Sequence, residues 1–272
     1  MINTISILAG HGKNGAADLV PRIDLSMGDV VSIVGPTGSG KTTLINDIEL
    51  FANGDTPTGR RILIDGEQPP AIYRNDPAHN PIALITQHTN FLSDLPVSSF
   101  LRMHALIRSG APERAAGLIE DTLGFANQLT GEPIIPEMRM TELSGGQTRA
   151  LLIADATIVC NTPIVLLDEV ENAGIHRTRA LELLRRYRKI FIFVTHDPRI
   201  ALLSDFRIVM QGGCVTQIIR TDEEERVFAV TVSRLDDAMC RLRDTIRTGG
   251  RFTALDAGIL EGLGTAREGV IA

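Results

Sequence analysis

The stretch GDVVSIVGPTGSGKTTLINDIELF, residues 28 to 51, joins an apolar run to a glycine-rich turn and then to a segment with helical periodicity. The run from Val30 to Val34 predicts a buried strand. The apolar positions that predict one face of a helix are Leu44, Ile45, Ile48 and Phe51. A strand, a glycine-rich loop and a helix in this order are typical of the phosphate-binding unit of an α/β protein.

The turn itself, Gly35 to Thr42, fits the pattern G-x-x-x-x-G-K-[ST]. Glycines in such a turn allow successive backbone N–H groups to face inward around a phosphate at a helix N-terminus. Lys41 would neutralise the β- and γ-phosphates, and Thr42 would bind Mg²⁺. The residues predicted to hold the nucleotide are Gly35, Pro36, Thr37, Gly38, Ser39, Gly40, Lys41, Thr42 and Thr43.

Two adjacent acids, Asp168 and Glu169, end an apolar run in LLDEVENAGIHR, residues 166 to 177. Acids after a buried strand are often only solvated turn residues. Beside a triphosphate site, however, Asp168 can hold the Mg²⁺ shell and Glu169 can polarise the attacking water. Since an aspartate alone would be enough to bind Mg²⁺ and ATP, the glutamate favours a hydrolase over a passive nucleotide sensor.

Two other apolar runs end in polar residues. Ile190 to Val194 precedes His196 in FIFVTHDPRIA, and this run should lie beside the Asp-Glu strand in a parallel sheet. Ile82 to Ile85 precedes Gln87, whose amide could bridge the metal or the water. Both side chains are candidates for the same catalytic and metal-binding site.

A second phosphate-binding surface is predicted in TELSGGQTRALLIADA, residues 141 to 156. Ser144, Gly145 and Gly146 would offer backbone N–H donors at the start of a helix. The alternative is a purely structural role, in which Ser144 only caps the helix.

LSGGQ, from Leu143 to Gln147, resembles the signature of ATP-binding-cassette ATPases, and the resemblance covers roughly residues 1 to 220. Five further residues match that family in its order, namely Lys41, Gln87, Asp168, Glu169 and His196. The resemblance implies ATP and Mg²⁺ as cofactors. It also implies a homodimer or paired cassette in which Ser144, Gly145, Gly146 and Gln147 of one copy face the nucleotide of the other.

The fold class expected is α/β, with a P-loop NTPase core in three layers around a mainly parallel sheet. We expect an antiparallel β portion over residues 1 to 35 and 58 to 66, and a helical insert over about 89 to 150. The cassette would occupy residues 1 to 220, and a C-terminal appendix residues 221 to 272. In that appendix, VFAVTV predicts a strand, and Ser233 with Asp236 predicts a capping box that starts a helix.

Composition limits the classes of partner. The 272 residues carry a net charge of −6, so binding to nucleic acid over the whole surface is unlikely. The basic segment RTRALELLRRYRK, residues 177 to 189, could contact nucleic acid, but its leucines favour a solvated surface helix. The three cysteines form no metal-binding or disulfide pattern and indicate reduced thiols in the cytoplasm. Neither a signal peptide nor a membrane-spanning run of about eighteen apolar residues is predicted.

Three positions depart from the pattern of the family. His11 stands nearest the place where an aromatic residue usually stacks on adenine, and it could stack instead. Val170 replaces the proline that commonly follows the Asp-Glu pair, and Ile175 replaces an aspartate that faces the other subunit. These two changes put communication across the dimer in doubt.

The sequence therefore predicts an ATP hydrolase that works on a partner. The favoured partner is a separate membrane permease, with the chain as the ATP-binding subunit of a transporter at the inner face of the membrane. The alternative is a soluble cassette that remodels a macromolecule or an enzyme-maturation complex. The substrate and the direction of transport leave no pattern in the sequence.

Overall fold

The computed structural model describes residues 2–76, 79–86, 88–109, 112–169 and 177–252. The chain divides into two compact units, Met1–Arg220 and Thr221–Ala272, and each is described by itself. The predicted positions Gln87, Val170 and Ile175 lie outside the described residues.

The first unit is built on a six-stranded sheet with the order β5-β6-β7-β3-β8-β9. Neighbouring strands are parallel except for the pair β8 and β9, which is antiparallel. The strands are β3 (Val30–Val34), β5 (Ile82–Thr86), β6 (Ile164–Asp168), β7 (Ile190–Val194), β8 (Phe206–Gln211) and β9 (Cys214–Arg220). The mainly parallel sheet expected from the sequence is confirmed.

A separate three-stranded antiparallel sheet has the order β2-β1-β4. Its strands are β1 (Thr4–Leu8), β2 (Arg22–Ser26) and β4 (Arg61–Ile64). The antiparallel portion expected up to residue 35 in fact ends earlier, because β3 belongs to the parallel sheet. The burial pattern gives the reason: β2 alternates between buried and exposed residues, whereas β3 is buried along its length apart from its last residue.

Two apolar clusters cover the faces of the six-stranded sheet. Ile164 and Leu166 of β6 belong to one cluster, while Val165 and Leu167 belong to the other. This division explains why the strands read as continuous apolar runs rather than alternating ones. The first cluster includes the antiparallel sheet and helix α1 (Lys41–Glu49). The second includes helices α4 (Pro112–Leu129), α5 (Gly145–Thr157) and α6 (Arg177–Arg185), so the core has three layers.

The remaining helices of the first unit are short or belong to the region between β5 and β6. They are α2 (Ala71–Asn75), α3 (Val97–Ser109), a 3₁₀ helix (Met140–Glu142) and α7 (Pro198–Leu203). Helix α4 packs against both α3 and α5. Helix α6 buries Leu181, Leu183 and Leu184, as its leucine pattern predicts.

The described part of the second unit, residues 221–252, forms one continuous helix, α8 (Glu223–Arg247). The predicted strand at VFAVTV and the predicted helix start at Ser233 are therefore wrong. Asp222 Oδ1 accepts a hydrogen bond from Glu225 N at 2.8 Å, and this cap starts the helix eleven residues earlier than expected. Among the described helices, none combines the length and apolar character needed to cross a membrane.

Candidate nucleotide site

Asp168, Glu169, His196 and the glycine-rich loop lie at the carboxyl ends of neighbouring strands of the six-stranded sheet. Asp168 of β6 is paired with Thr86 of β5 on one side and with Val194 of β7 on the other. Val194 is in turn paired with Ile33 of β3, which leads into the glycine-rich loop. The carboxyl ends of these four strands therefore lie at one edge of the sheet, where open α/β proteins bind ligands.

Close backbone contacts explain the glycines of the loop. A Cβ atom on Gly35 would lie 2.3 Å from Met210 O, and one on Gly40 would lie 3.0 Å from Gly213 Cα. Gly38 and Gly40 have φ angles of 78° and 95°, which L side chains rarely adopt. The loop therefore folds tightly against the turn between β8 and β9.

Lys41 lies within the loop that it closes. Its Nζ donates hydrogen bonds to Gly35 O at 3.0 Å and to Pro36 O at 3.1 Å, and the residue is buried. Helix α1 begins at Lys41, and among the described residues neither a side-chain cap nor a first-turn acid occupies its N-terminus. A positive charge and the positive end of a helix dipole therefore coincide at the loop, as an anion site requires.

The hydroxyl groups of the loop are of two kinds. Thr37 and Thr42 are exposed, and Thr43 is half-buried. Ser39 is buried, and within the described part of the chain its Oγ has no hydrogen-bond partner. A buried polar group without a partner is costly, so a ligand oxygen at this loop would remove that cost. Glycine cradle, lysine and hydroxyl together fit a nucleotide phosphate with Mg²⁺.

Glu169 and His196 come together at the ends of β6 and β7. Glu169 Oε1 lies 3.9 Å from His196 Nε2, and both side chains are partly exposed, at 36% and 49%. Glu169 has a φ angle of 50°, and its N–H donates to Val194 O at 3.1 Å. A left-handed backbone at a residue other than glycine costs about 1 kcal/mol, and Glu169 is one of five such residues in the described part of the chain.

Two buried neighbours anchor His196. Thr195 donates its N–H to Ile33 O at 3.3 Å, and Asp197 caps α7 by accepting from Arg199 N at 2.8 Å. The guanidinium of Arg199 also donates from Nη2 to Asp197 Oδ2 at 2.8 Å. The exposed imidazole thus projects from a rigid segment. The anchoring role of Arg199 was missed in the sequence, where it reads as an ordinary basic residue.

The predicted second phosphate-binding surface is the start of α5. Ser144 is the cap residue, with Oγ accepting from Gln147 N at 3.3 Å and N–H donating to Gln147 Oε1 at 2.9 Å. Gln147 is buried, and its Nε2 donates to Pro133 O at 3.2 Å. The side chain of Gln147 is therefore engaged within its own chain, whereas Gly145 is exposed.

His11 lies in a segment that contacts the same β8–β9 turn as the glycine-rich loop. Its N–H donates to Thr58 O at 2.8 Å, and its side chain is exposed. A Cβ atom on Gly213 would lie 3.0 Å from Gly12 Cα, while Gly213 N donates to Ser39 O at 3.0 Å. The turn thus connects the His11 segment to the glycine-rich loop.

A buried ionic cluster beneath the loop was missed by sequence reasoning. Arg60 is fully buried, and its Nη2 and Nε donate to the two oxygens of Asp18 at 2.8 and 2.9 Å. Arg60 Nη1 also donates to Asp47 Oδ2 of α1 at 3.2 Å, and Nη2 to Gly213 O at 2.9 Å. The position of Asp47 on the apolar face of α1 was the available signal of a buried partner.

Burial raises the pKa of Asp18, but hydrogen bonds from Arg60, Gly10 N and Val215 N outweigh burial and hold that pKa below its usual range. Asp18 is therefore a carboxylate at neutral pH. Through Asp47, Arg60, Asp18 and Gly213, the cluster joins α1, the segment before β4, the segment from His11 to Asp18 and the β8–β9 turn. These parts surround the glycine-rich loop.

The chain is similar to known proteins of one family. The family described as ABC transporter matches residues 21–172. The uncharacterized ABC transporter ATP-binding protein MJ0121 of Methanocaldococcus jannaschii is 45% identical over 259 residues, covering 95% of this chain and 98% of the relative. The lipoprotein-releasing system ATP-binding protein LolD of Bacteroides fragilis is 30% identical over 218 residues, covering 73% of this chain and 94% of the relative.

Among solved structures, the post-hydrolysis dimer of the ATP-binding cassette MJ0796 with ADP and Pi has a similar fold. Its TM-score is 0.61 at 22% identity, covering 80% of this chain and 99% of that chain. The family match extends over more than half of the chain and includes the glycine-rich loop, the signature and the Asp-Glu pair. This chain belongs to the ABC transporter family, as one of its ATP-binding proteins.

Proposed function

We propose that this chain binds Mg²⁺ and ATP between two cassettes and hydrolyses the ATP to drive a membrane transporter. The observation that carries the proposal is the approach of Glu169 to His196, 3.9 Å apart, at the edge of the sheet where the phosphate loop begins. A protein that only binds a nucleotide would need the glycine-rich loop and a metal ligand. It would not need a carboxylate and an imidazole close to each other at the same edge of the sheet.

Each side chain has a distinct task in this proposal. Lys41 and the N–H groups of the glycine-rich loop hold the phosphates, while Thr42 and Asp168 hold Mg²⁺ together with Gln87. Bound Mg²⁺ supplies charge neutralisation at the phosphates. Glu169 accepts a hydrogen bond from the attacking water and withdraws its proton, and His196 orients the reacting phosphate and Glu169.

The site needs a second copy of the chain. Gly145 and Gly146 begin α5, and the Ser144–Gln147 capping box at this end uses the N–H groups of Ser144 and Gln147 rather than those of the two glycines. Their N–H groups can therefore donate to a nucleotide held by another cassette. The dimeric state of the similar cassette MJ0796 supports this arrangement.

A separate membrane permease is the proposed partner, with the chain bound at the inner face of the membrane. The support comes from relatives that are named as ATP-binding proteins of transport or release systems. Recovery of the protein from membrane and soluble fractions tests this part. Recovery with a polytopic membrane protein supports it, and recovery with a soluble complex favours a remodelling ATPase.

Replacement of Glu169 by Gln tests the hydrolytic part. We expect ATP hydrolysis to fall by at least about 100-fold, because the amide cannot accept the proton of the attacking water. ATP binding should be retained, and ATP should convert the variant into a stable dimer on size-exclusion chromatography. The control is Glu182→Gln, which changes an exposed acid on α6 and should leave both properties unaltered.

An unchanged rate in the Glu169→Gln variant would exclude Glu169 as the general base. A variant that no longer binds ATP would instead show that Glu169 is a binding residue. Because both quantities are measured on the same sample, these two failures are distinguishable.

A further inference from the structure

Three metal-binding side chains of different chemistry meet outside the nucleotide site. They are His104 of α3, Asp155 near the end of α5 and Cys160 in the loop that follows α5. One donor atom of each lies within 4.8 Å of the donor atoms of the other two. Asp155 is buried, whereas His104 and Cys160 are partly exposed, so the cluster is accessible from solvent.

The contacts within this His104–Asp155–Cys160 cluster are specific. His104 Nδ1 lies 2.8 Å from Asp155 Oδ1, Cys160 Sγ lies 3.6 Å from Asp155 Oδ2, and Sγ lies 3.9 Å from His104 Nε2. The loop is held in place because Cys160 N donates to Asp155 O at 2.9 Å. The thiol is thus fixed beside both other donors by the backbone of α5.

These separations are close to those of donors around one ion. Zinc at about 2.0 Å from nitrogen or oxygen and about 2.3 Å from sulfur, in a tetrahedron, holds such donors about 3.3 to 3.5 Å apart. One donor atom of each residue lies within 4.8 Å of the other two, and the 3.6 Å between Sγ and Asp155 Oδ2 is already close to this value. The 2.8 Å contact joins His104 Nδ1 to Asp155 Oδ1 and must widen by about 0.5 Å as the ion replaces the shared proton, whereas the 3.9 Å from Sγ is to Nε2, the ring nitrogen that would not bind the same ion.

The cluster lies at the other edge of the sheet from the nucleotide. Cys160 precedes β6, whose last residue is Asp168, so the cluster stands at the amino end of the strand. Lys189, just before β7, donates from Nζ to Asn161 Oδ1 at 2.8 Å and to Thr162 O at 2.9 Å at the same edge. An ion here is therefore separate from the Mg²⁺ of the proposed ATP site.

We infer that His104, Asp155 and Cys160 bind a divalent transition-metal ion of the zinc class. Thiolate and imidazole ligands select zinc over Mg²⁺, and three protein ligands leave the fourth position to water. Binding releases the thiol proton and the proton shared by His104 and Asp155. The ion links α3 directly to α5, the helix whose first turn carries Gly145 and Gly146.

Cobalt spectroscopy tests the inference on the full chain, stripped with EDTA and kept free of nucleotide. We expect one Co²⁺ per chain, with a thiolate-to-cobalt charge-transfer band that Zn²⁺ abolishes by displacement. Cys160→Ser should lose the band and His104→Asn should bind at least tenfold more weakly. The matched control, Cys240→Ser, removes an exposed thiol of α8 and should keep both the band and the affinity.

Two results would overturn the inference. One is a wild-type protein without the charge-transfer band at saturating Co²⁺, which would leave only a hydrogen-bonded cluster. The other is a band that persists in Cys160→Ser, which would assign it to another thiol. The melting temperature gives an independent readout: Zn²⁺ should raise it reversibly in the wild type and raise it less at the same concentration in His104→Asn. None of these measurements depends on ATP hydrolysis, so the proposed function is tested separately.

Discussion

Two arginine–aspartate pairs in this chain show how burial determines the contribution of an arginine to stability. The Arg60–Asp18 pair is 0% and 2% exposed, whereas the Arg22–Asp24 pair is 51% and 54% exposed. Both pairs have a shortest contact of 2.8 Å, so distance alone does not distinguish them. A buried carboxylate that loses its partner keeps the full cost of desolvation, and an exposed one is rehydrated.

We therefore expect Arg60→Met to lower the free energy of unfolding by about 3–5 kcal/mol, because Asp18 and Asp47 remain buried without their cation. Arg22→Met should cost less than about 1 kcal/mol. Urea denaturation of both variants measures the difference. Similar losses in the two variants would show that the buried cluster is not a principal source of stability.

The residues of the site differ in how far the sequence could predict them. Gly35, Lys41 and Asp168 can be proposed from the sequence because phosphate chemistry requires fixed residue types at fixed spacing. Arg60 and Arg199 were not, since their roles depend on partners far away in sequence or on burial. The engagement of Gln147 in the cap of α5 is likewise visible only once the backbone is placed.

At the scale of elements, periodicity predicted the core and failed at the C-terminal appendix. β6 and β7 are buried on both faces, so their continuous apolar runs identified them. VFAVTV is also rich in β-branched residues, yet it lies within α8. Strand propensity reflects packing against neighbouring strands, which this segment lacks among the described residues. The cap at Asp222 stabilises the helical conformation instead.

The link between α3 and α5 should make stability depend on pH when no metal ion is bound. Hydrogen bonds to Asp155 and then Cys160 raise the pKa of His104 from 6.5 to about 10. The charged imidazole therefore stabilises the fold fully below about pH 6.5, and this contribution is lost as pH rises through about 10. The titratable groups that face it are Asp155 and Cys160, with Lys189 near the thiol.

In EDTA, we expect the wild type to lose about 2 kcal/mol relative to His104→Asn between pH 6.5 and pH 10, after allowance for the partial exposure of the imidazole. The difference between the two proteins removes the effect of other groups that titrate in this range. Chemical denaturation at several pH values measures it. A constant difference between the two proteins would show that His104 has an ordinary pKa.

At the scale of the whole molecule, one chain contributes two half-sites to the proposed dimer and no complete site. Lys41 closes the phosphate loop, and Gly145 opens α5 at the predicted second surface. In the proposed dimer, the glycine-rich loop of one copy and the LSGGQ signature of the other copy must contact the same nucleotide. The described residues show no comparable feature that identifies the partner of the ATPase, so the sequence predicts the ATPase and not its substrate.

Complementation between two inactive variants tests the shared site. Lys41→Ala removes the charge of the loop, and Gly145→Asp places a carboxylate where the other copy's nucleotide should bind. The new Cβ would lie 3.1 Å from the flexible end of Arg149, and an acid in the first turn favours the helix, so the variant should fold.

Each variant alone should be inactive. In a mixture, random pairing makes half of the dimers mixed, and each mixed dimer has one intact site, so we expect about a quarter of the wild-type ATPase rate. A mixture as inactive as its components would place the loop and signature of one chain in the same site, contrary to the proposed dimer.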